Sequence, residues 1–505
     1  MTMTIQNAQQ LNNQIGSMTR PPIVVVLGHV DHGKSTLIET IREDFQITSK
    51  ESGGITQHIG AYEAEYQGKK ITFIDTPGHE VFSAIRSRGA KVADIAILVV
   101  AADEGVKLQT KEAIEQIKKA GLPMIVAINK IDKPEANPQR IKQELAQQEV
   151  LVESFGGKTP VIETSALTKQ GIKDLLEMIL LVAEMGTFKS QVDKPGEGVI
   201  IETYLDNKRG SAATILVRDG VVRTGDFIAT KSTRGRVRIL ENFQGKAVPQ
   251  TFPSQPATMI GFEDCPQLGE EFRVFPNQES SALFATGIPK KERGSRVLEA
   301  NSEKKILNVI LKADVAGSLE ALEHIFESLP QDQVLMRVVK AEVGEIGEDD
   351  VKLAKGAKAF ILGFRTKVNP AAANLADQTK IKIETFHVIY ELVQKTREFM
   401  EKMVQEQPTR EEKGSLRVLA VFLSDKERQI IGGRVFQGEA TKGSKVEVVR
   451  NEELVEKGRI LNLQKNKKDA VSVPKGEECG LLYEGTIRIQ EGDVLKFYTE
   501  TSPKK

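Results

Sequence analysis

The stretch from Ile23 to Leu37, IVVVLGHVDHGKSTL, constrains what this chain can fold into more than any other. β-Branched residues at 23–26 favour a pleated strand, Gly28 and Gly33 bound a short loop, and Lys34-Ser35-Thr36 open a helical pattern. A strand, a glycine-bounded loop and a helix in that order make a phosphate cradle. The glycines let the backbone turn tightly enough to aim its amides inward. Lys34 adds a point charge, Ser35 a hydroxyl suited to magnesium, and the helix its positive end. The candidate phosphate-binding positions are Gly28, His29, Val30, Asp31, His32, Gly33, Lys34, Ser35 and Thr36.

A chain of 505 residues exceeds what one hydrophobic core holds, so about three to five domains are expected. Lysine plus arginine (70) equals aspartate plus glutamate (70), so any nucleic-acid contact must use local patches. The two cysteines, Cys265 and Cys479, lie far apart and neither belongs to a C-x-x-C pair, which excludes a zinc ribbon and a disulfide framework. There is no basic-then-apolar leader, and no apolar run approaches the ~20 residues that span a bilayer. A soluble, cytoplasmic protein without a membrane partner is the expectation.

Residues 1–20 are polar and read as a disordered tail. From 21 to 190, apolar strands (IVVVLG, KITFID, DIAILVV, PMIVAINK, PVIETSA) alternate with helical segments, which predicts a doubly wound α/β domain. Three further motifs sit at strand ends, where such sheets bind ligands. ITFIDTPGH supplies Asp75, a carboxylate reaching the metal through water, and Gly78, an amide for a terminal phosphate. AINKID supplies Asn129, Lys130 and Asp132; a carboxylate at 132 accepts from both N–H groups of guanine, which adenine lacks, so GTP is selected over ATP. ETSAL supplies Ser165, Ala166 and Leu167 to close over the base. Four motifs in this order imply a GTPase.

GHVDHGK, and DTPGH with His79 where small signalling GTPases carry glutamine, resemble the translational GTPases; GGITQHIGAY is similar to the bacterial initiation factor 2 family. The resemblance implies several roles. Thr56 joins Ser35 on Mg2+, and His79 is the catalytic residue that orients the attacking water when the ribosome docks. Val30 and Ile55 form an apolar gate that His79 passes, and Asp31 either holds a monovalent cation or is a structural loop carboxylate. The expected partners are the small and large ribosomal subunits with their rRNA and initiator tRNA. The expected form is a monomer without the long N-terminal extension of many relatives. An elongation-type GTPase that delivers tRNA, and a ribosome-binding scaffold with weak initiator-tRNA selectivity, are the alternatives.

The linker between Lys189 and Gly198 precedes short alternating strands, read as a β-barrel over 197–278. Arg234, Arg236 and Arg238 alternate there, as a solvated outer face or an rRNA contact. By resemblance, 300–385 is a small α/β/α domain, in which Gly317-Ser318 caps a helix or holds an anion. Residues 386–408 read as a helix of ~30 Å and 412–502 as a C-terminal β-barrel; the resemblance implies that the helix is a linker and that the barrel binds initiator tRNA. The two barrels share a pattern: Gly220-VVRT-Gly225 aligns with Gly438-EATK-Gly443. Candidate tRNA-binding positions are Lys465, Glu478, Cys479 and Gly480. The chain carries Gly433 where the family shows cysteine, and Gln464-Lys465-Asn466 where it shows a lysine-arginine-aromatic run.

Overall fold

The computed structural model describes residues 17–42, 60–77, 82–286, 305–405, 409–424, 428–450, 453–466 and 468–501. Ile55, Thr56, Gly78 and His79 lie outside them. The chain forms two compact units, Met1–Thr396 and Arg397–Lys505.

The first unit opens with β1 (Ser17–Thr19), so the last residues of the expected tail are ordered. β1 pairs antiparallel with β8 (Lys189–Gln191), a strand inside the stretch read as a linker. The reason lies beside them: Arg20, 7% exposed at its side chain, makes a two-pronged ion pair with Asp94 at 2.6 and 2.7 Å. A buried guanidinium must be paired, and this one fixes the segment before β2.

The central sheet has the order β3–β4–β2–β5–β6–β7. Its strands are β2 (Ile23–Gly28), β3 (Gly60–Tyr66), β4 (Lys69–Asp75), β5 (Ile95–Ala101), β6 (Met124–Asn129) and β7 (Val161–Glu163). All pairings are parallel except that of β3 with β4. Every residue of β2 and β5 is buried, as a sheet covered on both faces requires. The helices are α1 (Lys34–Ile41), α2 (Ser83–Val92), α3 (Leu108–Ala120), α4 (Pro138–Gln147) and α5 (Ile172–Gly186). One core joins Val24, Val26, Ile95, Ile97 and Val99 to Leu37 and Ile38 of α1 and Leu175 and Ile179 of α5.

β9 (Glu197–Asp206), β10 (Gly210–Asp219), β12 (Phe227–Ala229), β13 (Arg234–Asn242), β15 (Pro256–Phe262) and β16 (Glu271–Phe275) close into a six-stranded barrel. β11 (Val222–Arg223) pairs with β14 (Gln250–Thr251) outside that ring. The barrel is stapled to the GTP-motif domain at Ser254, which is fully buried at φ 67°. Its hydroxyl donates to the Pro21 carbonyl (2.6 Å) and accepts from Arg20 (3.1 Å), while its carbonyl accepts from the Thr72 hydroxyl (2.6 Å).

After α6 (Gln278–Phe284), a four-stranded parallel sheet has the order β18–β17–β19–β20. It comprises β17 (Lys305–Ala313), β18 (Val334–Val343), β19 (Ala359–Phe364) and β20 (Ile383–Phe386), with α7 (Ala316–Ser328), α8 (Glu348–Ala357) and α9 (Pro370–Thr379). The Gly317 amide donates to Glu202 of the barrel at 3.2 Å. The positive end of α7 thus meets a carboxylate of the chain itself. α10 (Ile389–Gln405) follows; its 17 residues span about 25 Å.

The second unit contains β21 (Thr409–Ser424), β22 (Arg428–Thr441), β23 (Lys445–Arg450), β24 (Glu453–Lys465), β25 (Lys468–Asp469), β26 (Ser472–Pro474), β27 (Glu478–Glu484) and β28 (Val494–Thr501). Pairing of β21 with β22 closes the path β21–β28–β23–β24–β27–β22 on itself. Leu416, Val435, Val446, Leu481, Tyr483 and Phe497 fill its core.

Candidate functional site

The site lies at the carboxyl ends of β2, β4 and β6. At the end of β2, Gly28 takes φ 148°, and a Cβ there would lie 2.3 Å from the Val99 carbonyl oxygen, so only glycine lets β2 leave the sheet beside β5. Gly33 takes φ 85° at the mouth of α1, against the Asn129 amide. Asp31 also adopts the left-handed conformation, at φ 61°. The loop is therefore wound against its neighbours rather than laid on the surface.

Lys34 is the first residue of α1 and is buried; its ammonium donates to the His29 carbonyl at 2.5 Å. Burial lowers its pKa to about 8; Asp75 opposes the shift and Arg86 adds to it. A cation so weakly solvated gains strongly from a polyphosphate. Ser35 donates to the fully buried Asp75 carboxylate at 2.9 Å, which places two hard oxygen donors together. Among the described residues no cluster of three His, Cys, Asp or Glu could hold a metal alone.

The two loop histidines differ. His32 is fully buried, its Nδ1 3.4 Å from the Val99 carbonyl and its ring edge-on to His29 at 5.0 Å. Burial, with help from His29 and Lys34, lowers its pKa to about 3, so it is neutral in the cell's pH range and brings no charge to a phosphate. His29 is partly exposed, and its pKa is also lowered, by burial first and then by Lys34. The Val30 amide donates to Gln109 of α3 at 3.0 Å, a contact with no signal in the loop's own motif. Thr36 is exposed on the first turn of α1.

The base-side residues converge on the same loop. Asn129 donates to the His32 carbonyl at 3.0 Å, and its carbonyl oxygen accepts from the Ala166 amide at 3.2 Å. Ser165 donates to Asp132 at 2.5 Å and accepts from the Thr168 amide at 3.1 Å, orienting an otherwise exposed carboxylate. Lys130, at φ 60°, reaches Glu104 at 3.4 Å, and Leu167 is exposed at the rim. One site thus brings together a glycine-bounded loop with a buried ammonium, a hydroxyl–carboxylate oxygen pair and a carboxylate braced by a serine.

Elsewhere the predicted residues fare unevenly. Arg236 and Arg238 are exposed on β13 with Val237 buried between them, but each guanidinium is engaged: Arg236 with the Gly225 carbonyl, Arg238 with the Arg209 carbonyl. Arg234 is bound to Glu263 at 3.1 Å. In the second barrel Cys479 is buried in the core. It packs with Leu481 and Tyr483, and burial pushes its thiol up to about 11. Glu478 pairs with Arg434 at 2.6 Å, Lys465 pairs with Glu477, and Gly480 lies between Gly432 and Gln464 in register.

Comparison with known proteins agrees with this geometry. The family model described as elongation factor Tu GTP binding domain matches residues 19–185, elongation factor G domain 2 matches 195–275, and translation-initiation factor 2 matches 289–397. Translation initiation factor IF-2 of Halothermothrix orenii is 43% identical over 96% of this chain and 73% of its own length. That of Carboxydothermus hydrogenoformans is 41% identical over 96% of this chain and 60% of its own. A solved structure, GDP-bound aIF5B from Aeropyrum pernix, aligns over 95% of this chain and 92% of that one at 26% identity and a TM-score of 0.45. With 43% identity over 96% of the chain, and a match to the elongation factor Tu GTP binding domain over residues 19–185, the chain is a GTP-binding GTPase and belongs to the translation initiation factor IF-2 family.

Proposed function

We propose that this GTPase positions initiator tRNA on the small ribosomal subunit and promotes joining of the large subunit, acting as a cytoplasmic monomer. The observation that supports this best is the joint presence, in one chain, of Lys34, Ser35, Asp75, Asn129, Asp132 and Ser165 around one loop and a C-terminal barrel in a second compact unit. Lys34 would neutralise the outer phosphates, and Asp132, braced by Ser165, would read guanine beside Asn129, Lys130, Ala166 and Leu167. Ser35, Thr56 and, through water, Asp75 would hold Mg2+, which supplies charge neutralisation when bound. Gly78 would donate its amide to the γ-phosphate, and His79 would orient the attacking water after passing Val30 and Ile55. Asp31 is a candidate for a monovalent cation. Lys465, Glu478, Cys479 and Gly480 are the candidates for the tRNA end, and Arg234, Arg236 and Arg238 for rRNA.

Phosphoryl transfer depends on positioning and charge stabilisation, so the free protein is expected to be slow until the ribosome completes the site. The test is phosphate release with and without ribosomes. His79→Ala is expected to lower the stimulated rate by ~100-fold; a rate within about twofold of wild type would remove His79 from catalysis. Binding of formylated, unformylated and elongator methionyl-tRNA to the full chain tests the other end. Equal binding of all three would leave a ribosome-dependent GTPase without initiator selectivity.

A further inference from the structure

Gln109 is the second residue of α3 and belongs to none of the four nucleotide motifs. The turn that carries it is fixed. Thr110, fully buried, accepts from the Lys107 amide at 3.3 Å, and Ala113, Ile114 and Ile117 bury the inner side of the helix. From that turn the half-buried Gln109 crosses to the phosphate loop, where its Oε1 accepts from the Val30 amide at 3.0 Å. A backbone N–H can only donate, so the oxygen of the carboxamide and not its NH2 faces the loop.

The Val30 N–H shares a peptide plane with the His29 carbonyl, and in a trans peptide the two point in opposite directions. That carbonyl accepts from the Lys34 ammonium at 2.5 Å. The 29–30 peptide is therefore gripped at both ends, its N–H by α3 and its C=O by the first residue of α1. Two consequences follow from the chemistry. The Val30 amide is spent on α3, so the loop's phosphate donors must come from its other amides. The inward carbonyl pins one proton of a buried ammonium that carries three, which leaves two for phosphate oxygens and holds a long, flexible stem at one point.

We propose that Gln109 is a positioning residue for the nucleotide's phosphates: by taking the Val30 amide it turns the His29 carbonyl onto Lys34 and so holds the ammonium where the phosphates bind. The proposal rests on the reading of Lys34 as the phosphate-neutralising cation. Val30 then serves the site through its side chain, and its amide stays on Gln109 whether GDP or GTP is bound.

The experiment measures affinity of the full chain for GDP and for a β,γ-imido GTP analogue, with the 31P resonances of bound GDP as a second readout. Gln109→Met keeps the length of the side chain and removes the acceptor. Both nucleotides are expected to bind it ~10-fold more weakly, with the β-phosphate resonance displaced and the urea midpoint of the first unit unmoved. Gln109→Glu keeps an acceptor but adds a charge that repels phosphate, so its expected recovery to within about threefold of wild type is the stricter test. If Gln109→Met binds both nucleotides within about twofold of wild type, or more tightly, the loop surrenders that bond to the phosphate and the proposal is overturned. A loss that Gln109→Glu does not relieve, or a lowered urea midpoint with the 31P resonances in place, overturns it as well. Lys34→Ala separates the two levels: affinity within about twofold of wild type removes the phosphate role of Lys34 and the proposal with it. A crippled Lys34→Ala beside an unaffected Gln109→Met removes only the role of Gln109.

Discussion

In the first barrel the buried polar residues Ser254 and Glu202 find partners outside the barrel: Pro21, Arg20 and Thr72 for one, the Gly317 amide for the other. In the C-terminal barrel the outer face instead carries uncovered apolar side chains, with Phe422 70% and Leu423 60% exposed beside Ile430 and Phe436. The two share a turn pattern, Gly220 to Gly225 against Gly438 to Gly443, and both close their strands into a ring. The same scaffold can therefore be a structural joint or a presenting surface. What differs is whether buried polar residues bind groups outside the barrel or apolar side chains stand exposed on it.

The comparison can be broken most directly at the joint. Arg20→Met leaves Asp94 buried with only the Ile23 amide and a distant Arg218 at 3.8 Å. It should cost about 3 kcal/mol, the low end for breaking a buried pair, read as a lowered urea midpoint in the first unit's transition with the second barrel's transition unmoved. A next test lies in the second barrel's core. A Cβ at Gly433 would lie 2.3 Å from Leu416 Cδ2 and 2.6 Å from the Arg417 carbonyl oxygen. Gly433→Ala should cost ~1–3 kcal/mol by overpacking and shift only the second transition. A neutral result would mean that β21 and β22 separate easily.

Acid should weaken both units but separate them by onset. His32 is neutral when folded, with its pKa lowered to about 3, so between pH 6.5 and 3 the unfolded chain holds a proton that the folded one does not. The first unit should thus lose up to ~1.4 kcal/mol per pH unit as pH falls below 6.5. In the second barrel burial alone would raise Asp493, but Arg450 and the Gln490 amide hold it below its ordinary value of 3.8. Its contribution is present above that value and lost only as pH falls through it. Melting curves at pH 7, 5.5 and 4 should show the first unit weakening first. The smallest effect belongs to Phe422→Ser, expected within ~0.5 kcal/mol of wild type; a larger loss would show that the ring is covered in solution.

The GTP site was legible because its parts are local: a loop between Gly28 and Gly33, or Asp132 three residues after Asn129, is written in neighbouring residues. Arg20, Ser254 and Arg86 were not, since their partners lie 74, 234 and 26 positions away and nothing at either end marks the pairing. The polar composition of residues 1–20 suggested a tail because composition cannot see an ion pair closed by Asp94. Cys479 was half legible. Its motif drew attention, but the alternation Cys479, Leu481, Tyr483 places all three on the inward face of β27, and a period-two reading would have found it.

Asn129 has a consequence of its own. With one end on the His32 carbonyl and the other on the Ala166 amide, a single side chain sets the distance between the loop that would grip phosphate and the loop that would close over the base. It works as a caliper. A nucleoside whose sugar held base and phosphate a bond too far apart would have to open one jaw to fill the other. On the proposed reading of the site, the chain would measure the length of its ligand as well as read its edge.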